Sequence, residues 1–334
     1  MKTSIIIATY NGEKYIDDQL LSIYKQTQLP DEVVIYDDNS KDDTVGIAKN
    51  FINRYGLDNW KVVVNKQNKG WQKNFTDALE EVSGDVIFFC DQDDIWIEDR
   101  IEVMVSTIKN NPEVKCLSGK IMTIDGNGKP FENKHGYDKG RETQLLNKVQ
   151  FNEKFNTLTL LGCSMCLTRE FAQKLIATKV DTYSHDAQSC RLATLLDGMY
   201  IIDKVVIKYR IHNNNTSGVI HGVGFGSSNL EKRIRDISNN IVWLNSVINY
   251  YEQNRKIPEE KLDIIYYTKK MQEARYYFFV SRNIFKYLKL FKYRAYYSSL
   301  AMLIGDFTYC YRVNKFAGKL LWRLKRLMKI SSQT

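Results

Sequence analysis

The first ninety residues alternate between two hydrophobic periods. Ser4–Ala8 (SIIIA), Glu32–Tyr36 (EVVIY), Lys61–Val64 and Asp85–Cys90 (DVIFFC) are short, nearly continuous apolar runs rich in β-branched side chains. Between them, Gly12–Gln26, Asp42–Tyr55 and Trp71–Val82 place apolar residues at helical spacing, as with Ile16, Leu20 and Ile23. Strands that are apolar on both sides, each followed by a helix, belong to a mostly parallel sheet with helices on both faces. The pattern predicts an α/β fold whose chemistry gathers beyond the carboxyl ends of the strands. Further on, Tyr200–Lys208 reads as a strand, and Asp125–Gly140 and His212–Asn229 as loops dense in turn residues. Beyond Asn229 the period is helical to the end, with breaks expected near Pro258 and Gly305. Two regions follow: residues 1–224 are α/β and residues 225–334 are helical.

Composition sharpens that division. Of 334 residues, 43% are hydrophobic and four are prolines, so the chain buries a core and is not a disordered polymer. Residues 225–334 hold 21 Lys and Arg against 8 Asp and Glu, whereas the preceding part leans acidic. They also hold 21 of the 41 aromatic residues, so the two regions face different partners. Six cysteines do not form a disulfide scaffold, and the lone Cys163-x-x-Cys166 lacks the further ligands of a zinc site. Buried small thiols are the better reading. Tyr10, Asn11, Glu13 and Lys14 interrupt the first apolar run too early for a secretory segment, which implies a cytoplasmic chain with reduced thiols.

Two acidic clusters follow predicted strands: Asp37-Asp38, and Asp91-Gln92-Asp93-Asp94. A single aspartate at a strand end is usually a helix cap. Three within four residues gain no packing and repel one another, which points to a divalent metal or phosphate–metal site. Mg²⁺ and Mn²⁺ take few carboxylates and complete their shell with substrate phosphates. In an extended Asp91-x-Asp93, both side chains would share one face.

Thr9-Tyr10-Asn11, Asp37-Asp38-Asn39-Ser40, Asn68-Lys69-Gly70 with Lys73-Asn74, and Asp91-Gln92-Asp93-Asp94 occur in one order. Together they resemble the family 2 inverting glycosyltransferases of GT-A fold. Gly162-Cys163-Ser164-Met165, His185-Asp186 and Tyr209-Arg210-Ile211-His212, with Asn215 and Gly218, are similar to the rhamnosyltransferase branch. The resemblance spans about residues 1–220. It implies an enzyme that moves a sugar from a nucleotide-sugar donor, with L-rhamnose from dTDP-rhamnose as the first choice, onto a lipid-linked cell-surface glycan. A UDP-glucose or UDP-galactose donor is the alternative within the class. A non-catalytic basic binding protein is the alternative outside it.

The resemblance also assigns roles. Asp38 would accept from the pyrimidine N–H, which uracil and thymine share, and Tyr10, between Thr9 and Asn11, would pack on the base. Lys73 and Asn74 would lie near the ribose and pyrophosphate, where a lysine lacks the bidentate geometry of arginine. Asp91 would support the nucleotide, and Asp93 would hold Mn²⁺ or Mg²⁺. Asp186 would be the base that takes the acceptor hydroxyl proton; a helix cap over Asp186–Leu196 is its structural alternative. His212 would approach the metal and Arg210 the diphosphate or an acidic neighbour. Trp96 is expected at the wall of the donor-sugar pocket or over the helix after it.

The basic tail has no apolar run of the roughly 20 residues that a spanning helix needs. Arg282, Lys286 and Lys289 recur at helical spacing, and Lys319, Arg323, Lys325, Arg326 and Lys329 interleave with leucines. Such helices suit an anionic membrane surface, placing the chain as a peripheral protein on the inner face of the cell membrane. A bundle packed on the catalytic part, or a homo-oligomer interface, is the alternative; no nucleic-acid motif accompanies the charge.

Overall fold

The computed structural model describes residues 1–131, 143, 145–212, 230–254 and 257–311. Asn215, Gly218 and the basic stripe of 319–329 lie outside the described residues. The front of the chain runs β1 (Thr3–Thr9), α1 (Ile16–Tyr24), β2 (Glu32–Asp37), α2 (Thr44–Tyr55), β3 (Trp60–Val64), α3 (Trp71–Glu81) and β4 (Val86–Asp91). This is the predicted alternation, and β3-β2-β1-β4 pair in parallel. The first helix begins at Ile16 and not Gly12, because the Gly12 carbonyl accepts the N–H groups of Tyr15 and Ile16 in a turn.

Beyond β4 the sheet is mixed. It continues with β5 (Ile95–Trp96), α4 (Arg100–Asn110), β6 (Cys116–Ile124), β7 (Leu146–Lys148), β8 (Met165–Thr168), α5 (Arg169–Thr178), α6 (His185–Leu195) and β9 (Met199–Arg210). The strand order is β3-β2-β1-β4-β8-β6-β9-β5, with β7 also on β9. Strand β8 is antiparallel to both β4 and β6, and so joins two parallel blocks.

Alternation along the strands feeds two cores. Ile5, Ile7, Val33, Ile35, Val86 and Phe88 face α1, α2 and α4. Ile6, Val34, Ile87 and Phe89 face α3, α5 and α6. The helical region comprises α7 (Leu230–Asn254), α8 (Glu259–Ser281), α9 (Ile284–Leu288), a 3₁₀ segment Lys289–Tyr296, and α10 (Leu300–Cys310). Trp243, Leu244, Val247, Ile248 and Tyr251 of α7 and Ile265 of α8 enter the second sheet core. The other ends of these helices form a third core around Phe278, Phe279, Tyr287 and Leu303. Pro258 starts α8, as expected, but Gly305 is buried inside α10 and breaks nothing. The break falls at Asn283 and Ser299, whose side chains cap the following helices.

Candidate active site

The carboxyl ends of β1, β2 and β4 open on one cavity of about 1560 Å³, lined at this end by Thr9, Tyr10, Asn11, Asp38, Asn74, Asp91, Asp93 and His212. Each loop is held by its own polar residues. Asp37 accepts from Thr9 Oγ1 (3.0 Å) and the Ser40 N–H (2.8 Å), so this first acid builds the turn. Asn11, in the left-handed region at φ 49°, accepts the Lys41 N–H on its Oδ1. Asp38 is buried at the floor. Its Oδ1 accepts from Lys69 N–H and Asn65 Nδ2, and its Oδ2 from Gly70 N–H, all within 3.0 Å. Asn74 donates to the Tyr36 carbonyl and accepts from Asn65, which ties the start of α3 to the end of β2. Tyr10 stays 45% exposed at the rim.

The acidic cluster after β4 is a turn and not an extended strand, so its carboxylates take different partners. Asp93 Oδ2 meets His212 Nε2 at 2.8 Å, and both residues line the cavity. A carboxylate oxygen beside an imidazole nitrogen fits a divalent ion such as Mn²⁺ or Mg²⁺. Asp91, Asp94 and Cys163 also bring ligand atoms within 4.8 Å of one another. That trio does not fit such an ion as well. Burial pushes the Cys163 thiol up, and neither it nor Asp94 reaches the cavity.

Asp186 lies farther along the same cavity, as the second residue of α6. Ser184 and not Asp186 is the N-cap, its side chain accepting from Ala187 N–H. Asp186 Oδ1 accepts the same N–H at 2.8 Å, and Gly162 N–H also donates to the carboxylate. Burial nevertheless pushes the Asp186 carboxyl up to about 6, because desolvation outweighs those donors. Next to it, His185 stacks on Phe75 at 4.1 Å and packs edge-on to Trp71 and Phe89. Burial pushes its imidazole down to about 3, which keeps it neutral. A Cβ on Gly162 would fall 2.5 Å from His185 Nε2, so only glycine lets α6 approach.

A model of the family described as "Glycosyl transferase family 2" matches residues 4–175. The chain belongs to glycosyltransferase family 2. Over 227 residues this glycosyltransferase is 31% identical to the dTDP-rhamnosyl transferase RfbG of Shigella flexneri, covering 64% of this chain and 73% of that one. It is 33% identical over 125 residues to a UDP-Glc:α-D-GlcNAc-diphosphoundecaprenol β-1,3-glucosyltransferase of Escherichia coli, covering 37% of this chain and about half, 47%, of that relative. The fold is similar to that of Staphylococcus aureus TarS 1-349 in complex with UDP-GlcNAc, at 18% identity, with TM-score 0.56 and 94% and 92% of the two chains covered.

Three expected site residues of the glycosyltransferase lie elsewhere. Trp96 is buried in the first core and is not at the cavity wall. Its ring lies 3.8 Å under the Arg100 guanidinium, beside Phe88, which favours a tightly packed indole over an open wall. Lys73 does not line the cavity. Asp77 (2.7 Å) and Asp181 (3.1 Å) hold its ammonium. Arg210 is buried as a brace and takes the acidic-neighbour reading. It donates to the Asp93 carbonyl (2.7 Å) and Asp18 (3.1 Å), and its backbone N–H donates to Asp94. Its guanidinium also lies 4.7 Å from the Tyr15 ring, which packs on His212.

Sequence reasoning missed two supports. Gln92 accepts from Tyr10 N–H and donates to the Tyr10 carbonyl, locking the rim residue to the acidic turn. Arg191, one turn beyond Asp186, donates to the Leu158 carbonyl and bonds the Tyr183 hydroxyl. That hydroxyl and Asn156 in turn bond Asn240 of α7. Neither left a signal in the sequence, since partners 82 and 33 residues apart have no periodicity.

Proposed function

We propose that this glycosyltransferase moves L-rhamnose from dTDP-rhamnose, with inversion, onto a lipid-linked or growing cell-surface glycan, while docked peripherally on the inner face of the cell membrane. The observation that carries the reading is the continuous cavity. It joins Tyr10, Asp38 and the Asp93–His212 pair at one end to Asp186 in the middle, then runs on to Asn240, Gln272 and Arg275 of the helical region. A donor diphosphate at the first end and an acceptor at the second would meet at Asp186.

Asp38 takes the pyrimidine N–H on a lone pair left by its three donors. Asp93 and His212 would hold Mn²⁺ or Mg²⁺, which supplies neutralisation of the diphosphate charge when bound. Asp186 accepts the proton of the acceptor hydroxyl as that oxygen attacks the anomeric carbon from the face opposite the leaving diphosphate. A β-configured donor then gives an α-linkage. The N–H groups of Gly162 and Ala187 keep the carboxylate oriented. Residues 1–224 form the donor-binding part in this reading, and 225–334 complete the acceptor end. The dTDP-rhamnosyl transferase relative supports the choice of donor. A UDP-hexose is the second reading, because Asp38 does not discriminate uracil from thymine and the second relative is named for UDP-Glc.

A panel of dTDP- and UDP-sugars tests both. At 100 times its dissociation constant, the true donor should stabilise the protein by about 2.7 kcal/mol. With Mn²⁺ or Mg²⁺ it should be hydrolysed slowly without acceptor, and EDTA should stop this. Stabilisation by UDP-glucose alone selects the second reading; no stabilisation and no hydrolysis by any member rejects both.

A further inference from the structure

The helices after Ser281 turn large apolar side chains outward. Phe285 is 72% exposed and Leu288 56%, and Ile284 and Phe291 are exposed beside them at spacings of three and four. Between them Tyr287 and Leu290 are buried in the third core. Tyr277 and Val280 extend the exposed set onto the end of α8, and Leu300 and Ile304 repeat it four apart on α10. Two contacts tie these segments together: the Tyr311 hydroxyl donates to the Arg282 carbonyl, and the Lys286 ammonium lies 5.7 Å from the Tyr277 ring. The charges in this stretch are of one sign. Arg282, Lys289, Lys292 and Arg294 are exposed. No acid occurs between Glu273 and Asp306, and Asp306 is fully buried under Arg233 and Arg275.

We propose that α9, the 289–296 segment and α10 form a docking face for an anionic lipid bilayer, with Phe285, Leu288 and Phe291 entering the interface and the cations meeting its headgroups. A patch of phenylalanine and leucine fringed only by lysine and arginine complements a layer that is apolar within and anionic at its surface. A second copy of the chain complements it poorly, since a two-fold interface would bring the same cations together. The inference rests on the lipid-linked acceptor of the proposed function and adds where that acceptor enters. Ser298 and Met302, on either side of exposed Leu300, line the far end of the cavity. The acceptor mouth therefore adjoins the membrane face.

The test uses the full chain and vesicles of phosphatidylcholine with or without phosphatidylglycerol. The wild type should sediment with the anionic vesicles and be partly released by high salt. Phe285→Ser/Leu288→Ser/Phe291→Ser should lower the bound-to-free ratio roughly tenfold or more. Lys289→Gln/Lys292→Gln should lower it for anionic vesicles only, by roughly fivefold per charge. Both variants should keep donor hydrolysis, because none of these side chains lines the cavity. A wild type that ignores anionic vesicles, or a triple serine variant that binds them equally well, overturns the proposal. So does a triple variant that only converts a dimer to a monomer in light scattering. Any of these leaves the transfer reading standing, since donor hydrolysis needs no vesicle.

Discussion

Asp186 is the residue where stability and chemistry oppose each other. Its carboxyl, pushed up to about 6 by burial, is harder to ionise in the folded chain than in the unfolded one. The sign follows from linkage: its contribution to stability is full below the ordinary carboxylate range and is lost as the pH rises through about 6. A base must be ionised, so turnover should rise with pH through the same point and fade on the acid side. Asp186→Asn should thus lose roughly 10²-fold or more in turnover. At pH 8 it should also resist denaturant more strongly than the wild type, by about 1–3 kcal/mol. Donor affinity should stay near normal. Wild-type turnover in the variant would move the base elsewhere, and reduced stability would show that the buried carboxylate is compensated by contacts that Asn cannot keep.

At the scale of elements, the position of α6 decides the geometry around that base. Ser184 caps it, Gly162 lets it approach the 162–164 turn before β8, and Arg191 fastens it to the 155–159 turn and, through Tyr183, to Asn240 of α7. The helical region therefore reaches into the placement of Asp186 without touching it. Asn240→Leu removes the bonds to Tyr183 and Asn156 and strands the buried Asn156 amide. We expect a loss of about 1–3 kcal/mol in stability, read by urea titration, and a lower turnover number at unchanged donor affinity. A variant with normal turnover would detach α7 from the placement of the base. Trp96, Lys73 and Arg210 teach the complementary lesson. An aromatic or a cation within a site-like stretch of sequence becomes core, ion pair or brace once another part of the chain supplies Arg100, Asp181 or Asp18.

At the scale of the whole molecule, a buried ion cluster centred on Asp306 ties the third core together. Burial alone would raise the Asp306 carboxyl, but Arg275 and Arg233 outweigh it and hold it below the ordinary range. Arg275 binds it through Nε (2.7 Å) and Nη2 (2.9 Å), and the Tyr297 hydroxyl donates at 3.0 Å. Stability from this group is present above the ordinary carboxylate range and is lost as the pH falls through its lowered value. Asp306→Asn leaves two guanidinium groups without their counter-charge and should cost about 3–5 kcal/mol in chemical denaturation. The loss should appear first as exposed tyrosine fluorescence from α8 to α10. A variant as stable as the wild type would mean that water reaches those guanidinium groups.

The parallel half of the sheet was legible from residue order alone, because strands buried on both faces must be apolar throughout and the helices between them carry their own period. Residue order also located the two acidic loops, Asp37-Asp38 at the end of β2 and Asp91 to Asp94 at the end of β4. The later strands were less legible. β5, β7 and β8 are two to four residues long, too short for any period, and their pairing is chosen by neighbours more than a hundred residues away in the case of β5 and β9. Folding in three dimensions selected Ser184 as the cap of α6, Asp93 and not Asp94 as the partner of His212, and Asp77 and Asp181 as the partners of Lys73. Each of those outcomes is a competition between nearby polar groups for one partner. Distance and burial settle it, and neither is written in the order of residues.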